Sequence, residues 1–250
     1  MQHMGDEQLN AAPRLTAEEF VAALWREQSD AERAKYARYF KSGPGEYAAD
    51  DLFIGVRMGT VFALATEFAA LSLEQIEALL EEDIHEARAG ALRIMANRAK
   101  AKKVDDETRL HLYALYLRRH DRINNWDLVD LGAWDVVGGW LRDHPRDVLY
   151  RLAGSESLWE RRTAMLATLA FVRRGDLDDA YAIAALLLGD SQDMVQKPIG
   201  AVLRTAGDRD RPRLLAFLDE HASTMPRVSL RFALEHFDEP TRRHYLAVRT

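Results

Sequence analysis

Apolar residues along this chain recur at spacings of three and four, as in Leu110, Tyr113, Ala114 and Leu117, which places them on one side of a helix. No sustained alternation of β-branched and aromatic residues between turn signals marks a strand. The pattern predicts an all-α protein. Helix starts are punctuated: Thr16 with Glu19 stands ahead of Phe20, Val21 and Leu24, and Ser72 with Gln75 ahead of Ile76, Leu79 and Leu80. In this capping-box pattern the short side chain and the residue three positions on satisfy each other's free N–H groups. Asp83 with Glu86, Ser157 with Glu160 and Asp193 with Gln196 repeat it, and Gly175, Gly189 and Gly207 follow helical runs as C-cap glycines.

The caps are regularly spaced. Ser157 and Asp193 lie 36 positions apart, and Asp83 and Ser157 lie 74 apart, about two such periods, with Asn124 and Asn125 near the half-way point. One period back from Asp83 lie Asp50 and Asp51, which open the run Phe53, Ile54, Val56, Val61, Phe62 and Leu64; one period forward from Asp193 lies Pro226, placed for the first turn of a helix. Partner helices are expected at about 31–40, 73–82, 106–119, 146–152, 177–188 and 213–221. A period of about 37 filled with helix pairs predicts a HEAT-like or armadillo-like α-solenoid of antiparallel pairs, with one helix of each pair lining the concave surface. A helical bundle without repeats is the alternative, and the shared register of the caps disfavours it.

Composition narrows the picture. At 250 residues and 48% hydrophobic, the chain suits one domain over residues 11–250 with a real core. Residues 1–10, with a second methionine at Met4 after Gln2 and His3, read as a non-native leader or disordered tail. Cysteine is absent, which removes disulfide frameworks, thiolate metal sites and cysteine nucleophiles. No apolar run is long enough to span a bilayer, and the expected setting is the cytoplasm. The net charge of -6 does not favour nucleic-acid binding by bulk charge, so the placement of Lys and Arg decides that question.

The segment Asn124 to Asp130 is the first candidate for chemistry. Trp126 and Asp130 stand four apart and share a helix face, in the first two turns after a cap at Asn124 or Asn125, and a carboxylate beside an aromatic face is a candidate cation site. The alternative is a capped amphipathic helix with Trp126 in the core and Asp130 paired to an arginine. Five positions after successive caps stand Arg88, Asp130 and Arg162, with Arg57 at a similar offset and Arg161, Lys197 and Arg204 nearby. A shared orientation would make a cationic stripe broken by one carboxylate, which suits a polyanion carrying one positive point; ion pairing between repeats is the other use for these arginines. Trp134, Trp140 and Trp159 read as packing residues. The histidines show no paired helical metal spacing, so no metal site is expected, and P-loop, dinucleotide and nucleophile-elbow motifs are missing.

Six segments, YFKSGPGEY from Tyr39, FIGVR from Phe53, IHEAR from Ile84, NWDLVD from Asn125, LWERR from Leu158 and VQK from Val195, resemble the DNA alkylation repair family, the AlkD-type HEAT-repeat DNA glycosylases. The similarity runs from about Tyr39 to His236. It implies a C-shaped α-solenoid that binds duplex DNA in its concave face and excises cationic alkylpurines such as 3-methyladenine and 7-methylguanine. It also implies a nucleoid-associated monomer needing no cofactor or metal. Carried over residue by residue, the site is Trp126, Asp130 and Arg162, with Tyr39, Arg57, Arg88, Arg161, Lys197 and Arg204 as DNA contacts. Trp126 presses on the deoxyribose, Asp130 stabilises the oxocarbenium-like sugar and Arg162 holds a phosphate. The base stays in the stack, so no deep pocket is expected. The sequence departs from the family where Ala201 replaces a second tryptophan and Pro198 a small residue. A weak or silent paralogue, serving as a DNA-binding or protein-interaction module, is the alternative function.

Overall fold

A computed structural model describes residues 15–49 and 51–248. The tail expected at residues 1–10 and the start expected at Asp50 lie outside the described residues. Among those described, the secondary structure is helical, apart from one isolated parallel bridge between Leu52 and Ile84. None of these helices is long and apolar enough to cross a membrane.

In order the helices are α1 (Ala17–Arg26), α2 (Asp30–Tyr39), α3 (Met58–Glu67), α4 (Leu73–Glu81), α5 (His85–Ala99) and α6 (Asp106–Arg118). Then α7 opens as Trp126–Gly132 and runs through a π-turn, Ala133–Gly138, into Gly139–Leu141. After α8 (Asp147–Ala153), α9 opens as Leu158–Ala167 and is extended by Leu169–Val172. The chain closes with α10 (Asp178–Leu187), α11 (Asp193–Gly207), α12 (Arg211–His221), α13 (Arg227–Ala233) and α14 (Glu239–Ala247).

The second helix of each pair packs on the next second helix, giving a continuous row α3, α5, α7, α9, α11, α13. The first helices form another layer, with α4 beside α6 and α8 beside α10. Short connections between consecutive packed helices make each pair antiparallel. This two-layer α-solenoid buries one continuous core from Phe20 to Tyr245. Within the row the backbones come very close. A Cβ on Gly138 would lie 2.2 Å from the Ala167 carbonyl oxygen, and one on Gly200 would lie 2.4 Å from that of Ser229. Only glycine permits this spacing between neighbouring helices.

The first helices of the pairs end within two residues of expectation. The second helices carry N-caps at Arg57, Ile84, Asn125, Ser157, Gln192 and Pro226, at intervals of 27 to 41 residues, so the repeat is looser than a fixed period. Of the five capping boxes, Thr16 with Glu19 makes both bonds and Ser72 makes one. The other three do not form, in two cases because the third-position side chain is engaged elsewhere. Glu86 accepts the N–H groups of Ile54, Gly55 and Val56, and Gln196 donates to the carbonyls of Leu187 and Asp190.

Glu86 also explains a second correction. The residues after Asp51 were expected to open a helix, yet their N–H groups are held by this buried carboxylate, Gly55 takes φ +83, and α3 starts only after Arg57. In α6 the buried positions are Leu112, Leu115 and Tyr116, while Leu110 is 42% exposed; apolar residues on several faces hid the stripe that faces the core. Gly207 is the last residue of α11, where a Cβ would strike Leu214 at 2.2 Å, so packing and not capping requires it.

Candidate functional site

The amide oxygen of Asn125 accepts from the Trp126 N–H at 2.8 Å, and its NH₂ donates to Asp51 at 2.7 Å, so one buried side chain starts α7 and ties it to the loop before α3. Trp126 is thereby fixed at the N-terminal end of α7. Phe40 stacks on it with ring centroids 5.5 Å apart, and Tyr39 meets it edge-on at 5.7 Å. These two aromatics come from the end of α2, which adds little to the main core but builds a small one of its own with Phe40, Ala48 and Phe53.

Asp130, one turn on, is bound by Arg162 of α9. Nε donates to Oδ1 at 2.9 Å, and Nη2 donates to Oδ1 at 2.7 Å and Oδ2 at 2.9 Å. The arginine side chain is 8% exposed and the carboxylate 39%, so the pair is anchored inside and opens outward at the aspartate. Crowding by protein pushes the Asp130 carboxyl above its ordinary value, and Arg162 opposes that shift. The guanidinium expected on a DNA phosphate is thus already committed to this carboxylate.

Its remaining terminus, Nη1, donates to the carbonyl of Met194. That carbonyl is free because the residue four positions on is Pro198, which has no N–H to close the helical bond. Pro198 therefore leaves the Met194 carbonyl as an acceptor for Arg162.

Beside the pair lies a cavity of about 310 Å³. Its walls include Tyr39, Phe40, Phe62 and Trp126, with the carboxyl-bearing Asp127 and Asp130. The guanidinium of Arg93 sits 4.0 Å over the far side of this wall, on Phe62. Aromatic faces and carboxylates around one space favour a flat cationic guest.

Under Trp126 runs a buried polar network. His85 Nε2 lies 2.8 Å from Asp127 and its Nδ1 3.4 Å from Asp51, with the imidazole against Phe40 and Phe53. Burial alone would lower the His85 pKa, but the two carboxylates outweigh it and raise it to about 9. Arg88 completes the network with bonds of 2.6 Å to Asp51 and to Asn124. Arg88 was expected on a DNA-facing stripe; it is 3% exposed and holds the loop before α3 against α7.

The other expected contacts divide. Tyr39 is 65% exposed, Arg57 is exposed and pairs with Glu32 at 3.1 Å, and Lys197 is exposed on the face of α11 that also carries Ala201 and Arg204. Arg161 is turned away onto Asp190 and the carbonyls of Ser155 and Glu156, and Arg204 pairs with Glu235. Trp134, Trp140 and Trp159 pack against the core, as expected. Sequence reasoning missed Phe62, His85 and Asp127, although His85 and Asp127 stand inside the IHEAR and NWDLVD segments; their partners lie about 40 residues away and carry no local signal.

The sequence model of the DNA alkylation repair enzyme family matches residues 20–237. The chain belongs to that family. The match takes in α7, Arg162 and the aromatic end of α2. The solved structure of a predicted DNA alkylation repair enzyme from Enterococcus faecalis superposes with a TM-score of 0.65 at 18% identity, covering 85% of this chain and 98% of that one. At that identity the likeness speaks for the fold. No curated protein matches the chain.

Proposed function

We propose that this protein is a DNA glycosylase that acts as a monomer and removes 3-methyladenine and 7-methylguanine from duplex DNA by hydrolysing the N-glycosidic bond. The observation that carries the reading is the shared cavity of Trp126, Tyr39, Phe62 and the Asp130 carboxylate. An N3- or N7-alkylated purine is a flat cation, and such a cavity attracts it over a neutral base. When the bond to C1′ breaks, the electron pair leaves with the base and neutralises it, while positive charge moves to the sugar. Asp130, oriented by Arg162, stabilises that charge; water then adds to C1′ and loses a proton.

A second reading, a member with slow or no excision that still binds DNA, draws support from two observations. Alanine stands at position 201, where the resemblance implies a second tryptophan, and both oxygens of Asp130 already accept from Arg162. Incubating the protein with methylated duplex DNA and separating freed bases by chromatography decides between them. The first reading predicts release of 3-methyladenine or 7-methylguanine, and the second predicts binding without release.

A further inference from the structure

A second cavity, of about 270 Å³, lies at the opposite end of the same helices, and five of its lining side chains are basic: Lys100, Arg109, Arg142, Arg173 and Arg174. Trp134 and Asp135, both in the π-turn of α7, form its floor. Single-turn π segments of this kind recur at functional sites.

Positions that are at least partly exposed connect this cavity to the candidate site. Along α7 they run Asp127, Asp130, Leu131, Trp134, Asp135, Gly139 and on to Arg142. Along α9 they run Trp159, Leu166, Leu169 and Arg173, with Arg162 in the same register. Both cavities therefore open on one face. Asp130 and Arg142 are about 18 Å apart along α7 at ~1.5 Å per residue. That span is on the scale of the ~12 Å major groove together with the phosphate rows that border it.

The charge there exceeds what the helices need. Lysine and arginine at helix C-termini offset roughly half a negative charge per helix, and three helices, α5, α7 and α9, end here. Five cations face three carboxylates, Asp106, Asp135 and Asp143, so with the helix ends counted the cluster keeps a small cationic excess. Their existing partners are weak. Lys100 meets Asp135 at 3.7 Å, Arg174 meets Asp143 at 3.7 Å, Arg142 bonds its own neighbour Asp143 at 3.3 Å and Arg109 pairs with Asp106 one turn away. Such solvent-exposed pairs contribute little and exchange readily for a phosphate. Arg173 has no carboxylate within ion-pair distance among the described residues; its guanidinium lies flat on Trp134 at 3.6 Å.

We propose that this basic cavity holds phosphates of the strand opposite the one engaged at Asp130, so that the protein reads a duplex by gripping both of its backbones. The proposal rests on the DNA-binding reading above and assigns to it a second anchor.

The test measures fluorescence anisotropy of a labelled undamaged duplex, and of one of its strands alone, across a salt series. The parent is compared with Arg142→Glu/Arg174→Glu, with the milder Arg142→Gln/Arg174→Gln, and with Arg118→Glu on α6 as an outer-layer control. The glutamate pair is expected to lose about tenfold or more in duplex affinity, with a salt slope shallower by about two, as for two lost phosphate contacts. The glutamine pair loses less, single-strand binding changes little, and the control binds like the parent, all with parent-like melting. Unchanged duplex affinity and slope in a normally melting glutamate pair would overturn the proposal. So would phosphorus-31 line broadening of inorganic phosphate by the parent, lost in the variant, with the DNA slope unchanged, which would make this a site for free phosphate. A parent that binds no duplex at low salt would sink the DNA reading itself, a result separable from the other two.

Discussion

Arg162 spans both oxygens of Asp130 while its third nitrogen holds the Met194 carbonyl, so the candidate catalytic carboxylate is fixed by a neighbouring repeat and, beyond that, by the repeat after it. Rotation of the carboxylate would disrupt three charge-assisted bonds. In Arg162→Gln the carboxylate loses its fork, and excision should fall about 10²-fold, as for loss of one electrostatic stabiliser. Binding of undamaged duplex should fall much less, because this guanidinium already serves a carboxylate. A loss confined to affinity, with the bound-state rate intact, would return Arg162 to a phosphate.

Pro198 acts on this pair from the backbone. In Pro198→Ala the new N–H competes with Arg162 for the Met194 carbonyl. Replacing an interior proline by alanine removes a cost of about 3 kcal/mol in helix propensity, so the melting temperature should rise. The single-turnover rate should fall severalfold as Arg162 loosens. A stabilised variant with an unchanged rate would show that the carbonyl contact does not position the arginine.

Ala201 shares the open face of α11 with Lys197 and Arg204. An indole there would restore an aromatic contact worth about 1 kcal/mol, so Ala201→Trp should raise the rate on 7-methylguanine severalfold with little change in duplex affinity. A slower variant would mean that the groove has closed around the smaller side chain.

The buried network fixes a pH dependence of stability. His85 is raised from its ordinary 6.5 to about 9, so its contribution is complete below pH 6.5 and is lost as pH rises through 9. Burial would raise Asp51, but His85 and Arg88 hold it well below its ordinary 3.8; its contribution is present above that value and is lost as pH falls further. Unfolding free energies in urea should decline from pH 6.5 toward pH 9 by an amount on the order of a few kcal/mol through loss of the His85 contribution. His85→Gln should remove the alkaline decline. An identical decline in both proteins would place its origin elsewhere.

Much of the fold was legible because it is written locally. The first helices of the pairs declare themselves through caps and apolar spacing, and Asn125 does cap the helix that carries Trp126 and Asp130. What was hidden depends on partners distant in the chain. Glu86 reads as a capping-box residue, but it is drawn onto three N–H groups some 30 positions back. Arg88 and Arg162 read as DNA contacts from their register, yet each has an aspartate from another repeat in reach, and a buried guanidinium is held by the nearest carboxylate. The aromatic cavity was invisible because Phe62 and Tyr39 come from helices flanking an extended loop.

The most direct test of the account is single-turnover release of 7-methylguanine from methylated duplex by the parent and by Asp130→Asn, with duplex affinity measured alongside. The account predicts measurable release by the parent, a rate lower by about 10²- to 10³-fold in Asp130→Asn, and similar affinity in both. Equal rates in the two proteins, or no release by either, would contradict it.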